Sequence, residues 1–291
     1  MPETLEVVAN TTCQVGENPL WHPIEKMVYW LDIPTGAIYR YDPQTGTHEI
    51  FHQGQGMTGG FTIQADGSLL LFSLGGKVQR LNDGKLTTLI NSLPGEENNR
   101  FNDAIADPRG RVFTGTMLSS AQNPAGNLYR LDLNGTFTWL REGLKLSNGM
   151  GFSPDLKTFY HSDSQAHNIT SYDYHEESGN LANPRTFAEL PEDQGVPDGL
   201  TVDADGFVWL ACWDGWQLLR YDPHGHIERR ISFPVKRVSS LTFAGEDLSD
   251  IYVTTAGGDN PSQNGAMAGA LFRLRLGIQG KPEYLSRIQS E

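Results

Sequence analysis

Along the chain, short apolar runs alternate with clusters of Gly, Asp, Asn and Pro, and no stretch sustains the 3.6-residue period of a helical domain. Six of these runs open alike: Glu17-Asn18-Pro19-Leu20-Trp21, Gly59-Gly60-Phe61-Thr62-Ile63, Asn102-Asp103-Ala104-Ile105-Ala106, Asn148-Gly149-Met150-Gly151-Phe152, Asp198-Gly199-Leu200-Thr201-Val202 and Ser239-Ser240-Leu241-Thr242-Phe243. Their first residues are spaced by 42, 43, 46, 50 and 41 positions, within the ~40–50 residues of a four-stranded propeller blade. A turn and a second apolar run follow, as in Asp66-Gly67 before Ser68-Leu69-Leu70-Leu71-Phe72 and Asp203-Ala204-Asp205-Gly206 before Phe207-Val208-Trp209-Leu210. A third run closes each unit, among them Tyr39-Arg40-Tyr41-Asp42, Tyr129-Arg130-Leu131-Asp132 and Leu219-Arg220-Tyr221-Asp222. The in-step arginines read as structural positions whose aliphatic stems pack on the sheet.

Two motifs repeating in register predict an all-β chain with residues 1–291 as one domain. The expected fold is a six-bladed β-propeller of four-stranded antiparallel blades starting near residues 17, 59, 102, 148, 198 and 239. Thr4-Leu5-Glu6-Val7-Val8-Ala9 reads as an extra strand that completes the sixth blade and closes the ring, hiding sheet edges that would otherwise pair with other chains.

In a propeller the first strand of each blade lines the central channel, so equivalent residues form a ring at one depth. Here that ring is Glu17, Gly59, Asn102, Asn148, Asp198 and Ser239. Asn, Asp and Gly also serve as ordinary turn residues at strand starts. Glu17 does not fit that reading, and carboxylates in a narrow channel are costly to desolvate unless a positive charge sits beside them. A hard divalent cation with oxygen ligands meets the need. Gly59 and Ser239 are expected to be the open side of the ring, where a substrate enters.

Composition narrows the partners. A formal charge of -13 disfavours nucleic acid, whose binding requires clustered Lys and Arg, and no run approaches the ~20 apolar residues of a membrane span. The two cysteines, Cys13 and Cys212, lie far apart and suggest neither a zinc ribbon nor a disulfide framework. A cytoplasmic protein, monomeric or a small homo-oligomer, is the expectation.

Competing motifs are weaker. Gly54-Gln55-Gly56-Met57-Thr58-Gly59 matches G-x-G-x-x-G but leads into a strand, without the helix N-terminus that would hold a pyrophosphate. Asp203-Ala204-Asp205-Gly206 reads as a hairpin turn rather than a calcium loop, and His224-Gly225-His226 as a solvated loop. Most tryptophans read as blade core, whereas Trp213 and Asp214 follow a second strand and edge the expected pocket.

Gly16-Glu17-Asn18-Pro19-Leu20-Trp21, Arg100-Phe101-Asn102-Asp103, Gly115-Thr116-Met117, Ser147-Asn148-Gly149 and Pro197-Asp198-Gly199-Leu200 carry a resemblance, over nearly the whole chain, to the regucalcin/gluconolactonase family of metal-dependent lactonases, also called senescence marker proteins. The resemblance implies a six-bladed propeller whose divalent metal is held by Glu17, Asn148 and Asp198. It further implies substrate contacts from Arg100 and Asn102 and acid–base chemistry by Asp198. Where some animal members carry a substrate-contacting Glu after Gly-Thr-Met, this chain has Ser120, which bears on sugar preference.

The implied function is hydrolysis of a sugar-acid lactone, such as a gluconolactone or xylonolactone, to the free acid. Oxygen ligation admits Ca, Zn, Mn, Mg or Fe(II) as the cofactor. The alternatives are a non-catalytic calcium-binding or protein-interaction propeller, and phosphotriesterase chemistry at the same metal.

Overall fold

The computed structural model describes residues 4–118 and 126–289. Their strands form six four-stranded antiparallel sheets. Five sheets are built from consecutive strands. The sixth combines Val238–Ala244, Asp250–Thr255 and Leu271–Arg275 with Thr4–Ala9, whose register runs from Thr4 opposite Arg275 to Ala9 opposite Leu271. The six-bladed propeller and its closure by the N-terminal strand are therefore as the repeat predicts. Among the described residues the helical segments are three 3-10 turns, and no helix is long and apolar enough to cross a membrane.

Burial falls from the axis outward. The inner strands Thr58–Ile63, Ser147–Phe152 and Val238–Ala244 are buried at every residue, whereas the outer strands Thr47–His52 and Asn180–Glu189 are mostly exposed. This is why the inner runs lack strict polar alternation: both faces of each inner strand meet a neighbouring blade. The apolar layers between blades are rich in aromatics. Tyr29 and Phe61 pack between the first two blades, Phe113, Phe152, Phe159 and Tyr174 between the third and fourth, and Trp209, Phe243 and Phe272 between the last two. Fully burying such a side chain contributes about 1.5–3 kcal/mol.

The hairpin turns double as anchors for the in-step arginines. Asp203 Oδ1 accepts from the amides of Asp205 (3.0 Å) and Phe207 (2.9 Å), while its Oδ2 accepts from Trp209 Nε1 (2.9 Å) and from Arg220 Nε and Nη2 (2.9 and 2.7 Å). Asp203 is thus the hairpin residue its turn sequence predicts, and it also neutralises a buried arginine.

Each of the six inner strands carries one extra residue relative to its partner, and at the same level. The register slips between Glu17 and Leu20, Thr58 and Gly60, Asn102 and Ala104, Ser147 and Met150, Pro197 and Leu200, and Val238 and Ser240. Such a β-bulge bends the strand and re-aims its side chains. At two of them the residue after the ring position has a left-handed backbone, Asn18 at φ 50° and Asp103 at φ 29°.

At the opposite end of the inner strands, residues 276–289 cross beneath the channel. Gln279 O accepts from Ala204 N, Gly280 N donates to Leu248 O, Ser286 N to Ile63 O, Arg287 N to Gly110 O and Gln289 N to Leu133 O. That segment closes the far face, leaving the ring end of the channel as the open one.

Candidate active site

The ring positions meet in a cavity of about 290 Å³ at the open end, lined by Glu17, Asn102, Asn148 and Asp198 together with Arg100, Ser164, Val15, Ile33, Leu146, Val196, Pro197 and Trp213. Bulges bring these side chains to the axis, and the preceding loops are held by matched carboxylates on the middle strands. Asp32 Oδ1 accepts from Val15 N at 2.9 Å, two residues before Glu17, and Asp163 accepts from Lys145 N (3.1 Å) and Leu146 N (3.0 Å), just before Asn148.

The ring is closed where the sequence suggested an opening. A Cβ added to Gly59 would lie 1.7 Å from Phe101 O, so glycine is required there by the approach of the next inner strand. Ser239 is fully buried, its Oγ donating to Gly16 O (2.5 Å) and lying 3.0 Å from the Thr254 hydroxyl. Both positions hold the inner strands together, and access runs along the axis instead.

Glu17, Asn148 and Asp198 are each about 5% exposed. Asn148 Nδ2 donates to Ser164 Oγ (3.0 Å) and to Asp198 Oδ1. This fixes the amide with its Oδ1 buried and, among the described residues, without a donor. An unmet buried acceptor costs about 1–3 kcal/mol. Glu17 Oε2 accepts from Asn18 N at 2.7 Å. Burial pushes the Glu17 carboxyl well above the usual range, reinforced by Asp198 and Asp103, and burial followed by Asp103 does the same to Asp198. Two carboxylates that resist ionisation beside a donor-less amide oxygen form a set of hard oxygens short of positive charge, which fits a divalent cation. Among the described residues no three His, Cys, Asp or Glu side chains converge, so any such site depends on the amide oxygen.

Arg100 Nη1 donates to Phe101 O (3.0 Å) and Asn102 Oδ1 (2.6 Å), and Asn102 Nδ2 donates to Ser147 O (2.8 Å). Burial lowers the Arg100 guanidinium to about 10, leaving it charged at neutral pH. Ser120 lies outside the described residues.

Sequence reasoning missed Ser164, Asp103 and Asn18. Ser164 directly follows the middle strand Thr158–Asp163, as Ile33 follows Met27–Asp32, and both reach the cavity. A second ring read at the ends of the middle strands would have found them, as the same position marked Trp213 in the sequence; Asp214, expected beside it at the pocket edge, does not line the cavity. Asp103 and Asn18 line a deeper axial cavity of about 40 Å³, shared with Thr201, Ser240 and Glu283. Burial raises Asp103 to about 7 although Arg100 opposes the shift.

Residues 15–257 match the family model described as the SMP-30/Gluconolactonase/LRE-like region. The chain is 43% identical to Pentonolactonase XacC of Haloferax volcanii, over 98% of this chain and 99% of that protein, and 32% identical to regucalcin of Xenopus laevis, over 95% and 96%. Its fold superposes on the crystal structure of a calcium-binding protein, regucalcin, from Agrobacterium tumefaciens with a TM-score of 0.92 at 26% identity, covering 98% of each chain. With the ring geometry and these similarities together, the chain belongs to the SMP-30/gluconolactonase/LRE-like family.

Proposed function

We propose that this protein is a metal-dependent hydrolase that opens a sugar-acid lactone to the free acid. The observation that carries the reading is the convergence of Glu17, Asn148 and Asp198 in one cavity, with both carboxyls pushed upward and Asn148 Oδ1 without a donor. Similarity to a protein named Pentonolactonase supports the substrate class. Glu17, Asn148 and Asp198 would hold the cation, which when bound supplies Lewis acidity and stabilises developing negative charge.

The chain's own groups supply the rest. Asp198 Oδ1 is engaged by Asn148 Nδ2, so Oδ2 is the atom that takes a proton from the attacking water. Ser162 Oγ donates to Asp198 O at 2.9 Å and steadies the backbone that carries this base. Arg100 presents a charged guanidinium to the lactone oxygens, its own orientation fixed by Asn102. Ser120 belongs to the proposed substrate contacts through its place after Gly115-Thr116-Met117.

The test is a panel of aldonolactones crossed with a panel of divalent cations on chelator-stripped protein, followed by acid release. Activity that disappears on stripping and returns with a cation is the expected result. An unchanged rate after stripping would refute metal dependence, and acid release from no lactone would favour a binding propeller.

A further inference from the structure

The cavity of about 290 Å³ lies at the lower limit of small-molecule pockets, a size that suits one monocyclic ligand. Apart from Ser164, its wall beyond the proposed metal and substrate-contact groups is apolar. Trp213 is the one aromatic ring among the described lining residues. It ends the middle strand Val208–Trp213 and pairs with Val196, two residues before Asp198 in the same blade.

The surrounding turn is held tightly. Asp214 and Trp216 have left-handed backbones at φ 58° and 57°, and a Cβ on Gly215 would lie 2.5 Å from Gln194 O. The Arg237 guanidinium lies 4.9 Å from the centre of the Trp213 ring, and its Nε donates to Asp214 Oδ1 at 3.2 Å. Arg237 is not among the residues lining the cavity, whereas the indole it packs on is.

We infer that Trp213 is a specificity-determining platform on which one face of a monocyclic sugar lactone stacks, with Arg237 and Asp214 as positioning residues for the indole. The inference rests on the hydrolase reading for the identity of the ligand. A sugar lactone carries its hydroxyls around the ring edge and presents polarised C–H bonds from a face, and an indole face, negative at its centre, attracts them. Polar groups on the other walls can then meet the edge while the platform holds the face. The contact exists in the bound substrate as well as in the transition state, so it acts on KM more than on kcat.

The test compares wild type with Trp213→Ala, Trp213→Phe and Arg237→Met, all loaded with the same cation. It measures lactone kinetics and the affinity for an aldonolactam of the same ring size, a probe that resists opening. Trp213→Ala should raise both KM and the lactam Kd by about tenfold with kcat within about threefold, and Trp213→Phe should lose less. A folded Trp213→Ala protein with wild-type metal content whose KM and lactam Kd stay within about twofold overturns the platform. If Trp213→Ala does not fold, Arg237→Met decides: a KM rise of about threefold supports the clamp and an unchanged KM overturns it. Lactam binding that Trp213→Ala weakens, in a wild-type protein that opens no lactone with any cation, would sink the hydrolase reading and leave the platform standing.

Discussion

Glu17 and Asp198 are held where ionisation is penalised, and this gives the stripped protein a particular pH response. Each folded-state carboxyl lies above its ordinary range, so the folded protein retains protons that the unfolded chain releases. Stability is then fullest below the ordinary carboxylate range and declines as pH rises through the raised values. For Asp103 that window runs from 3.8 to about 7. Thermal melts of cation-stripped protein should fall by several degrees between about pH 5 and pH 8, and excess divalent cation should restore the loss by binding the ionised form. A flat melting temperature across that interval would contradict the burial argument. Replacing Asp198 with Asn removes both a charge and the proposed base. We expect turnover to drop by about 100-fold or more while the melting temperature of the stripped protein rises at pH 8, a pairing that a merely misfolded variant would not give. Glu17 was conspicuous in the sequence because glutamate has no reason to begin a strand. Ser164 was not, because a serine after a strand is commonplace and its role emerges only when Asn148 is seen to turn its amide toward it.

At the scale of strands, the repeat revealed the inner, middle and third strands but not the bulges. A bulge is a mismatch between two strands, and a run such as Asn148-Gly149-Met150 carries no mark of what its partner does. Sequence spacing alone therefore aligned Gly59 with the other ring positions and suggested an opening. Register and close packing give its actual role, since the Phe101 carbonyl occupies the space a side chain would need. Gly59→Ala should destabilise the protein by about 1–3 kcal/mol or more, because backbone rather than a flexible side chain must yield. Gly84→Ala is the control: its added methyl meets nothing within 4 Å, leaving only the strain of φ +73°. Urea denaturation of the two variants measures the difference, and equal losses would mean that inter-strand approach at the axis contributes nothing. The exposed outer strands were the least legible elements, as solvent rather than a neighbouring blade meets much of their surface.

The whole molecule was legible because six similar units leave few ways to bury their inner faces, and a ring is the one that uses every unit equivalently. Residues 276–289 broke the repeat and were not anticipated; they seal the far face with backbone hydrogen bonds to several blades. Closure through Thr4–Ala9 also sets a timetable. Pairing Thr4 with Arg275, and Thr11 Oγ1 with Gly269 O across 258 positions, cannot occur until the last strand of the sixth blade is made. During synthesis the first blades can form in order, but the emerging N-terminal strand must wait without its partner. Closing so long a loop is slow, which predicts a late refolding phase that is lost when residues 4–9 are deleted, with Leu271–Arg275 left as an unpaired edge. Stopped-flow refolding with light scattering should find that variant prone to association; a monodisperse deletion protein would show the edge to be harmless. The strand that makes the ring continuous is thus the first of the propeller strands to be made and the last to dock, so the interval between those events is when this chain is most exposed to its own copies.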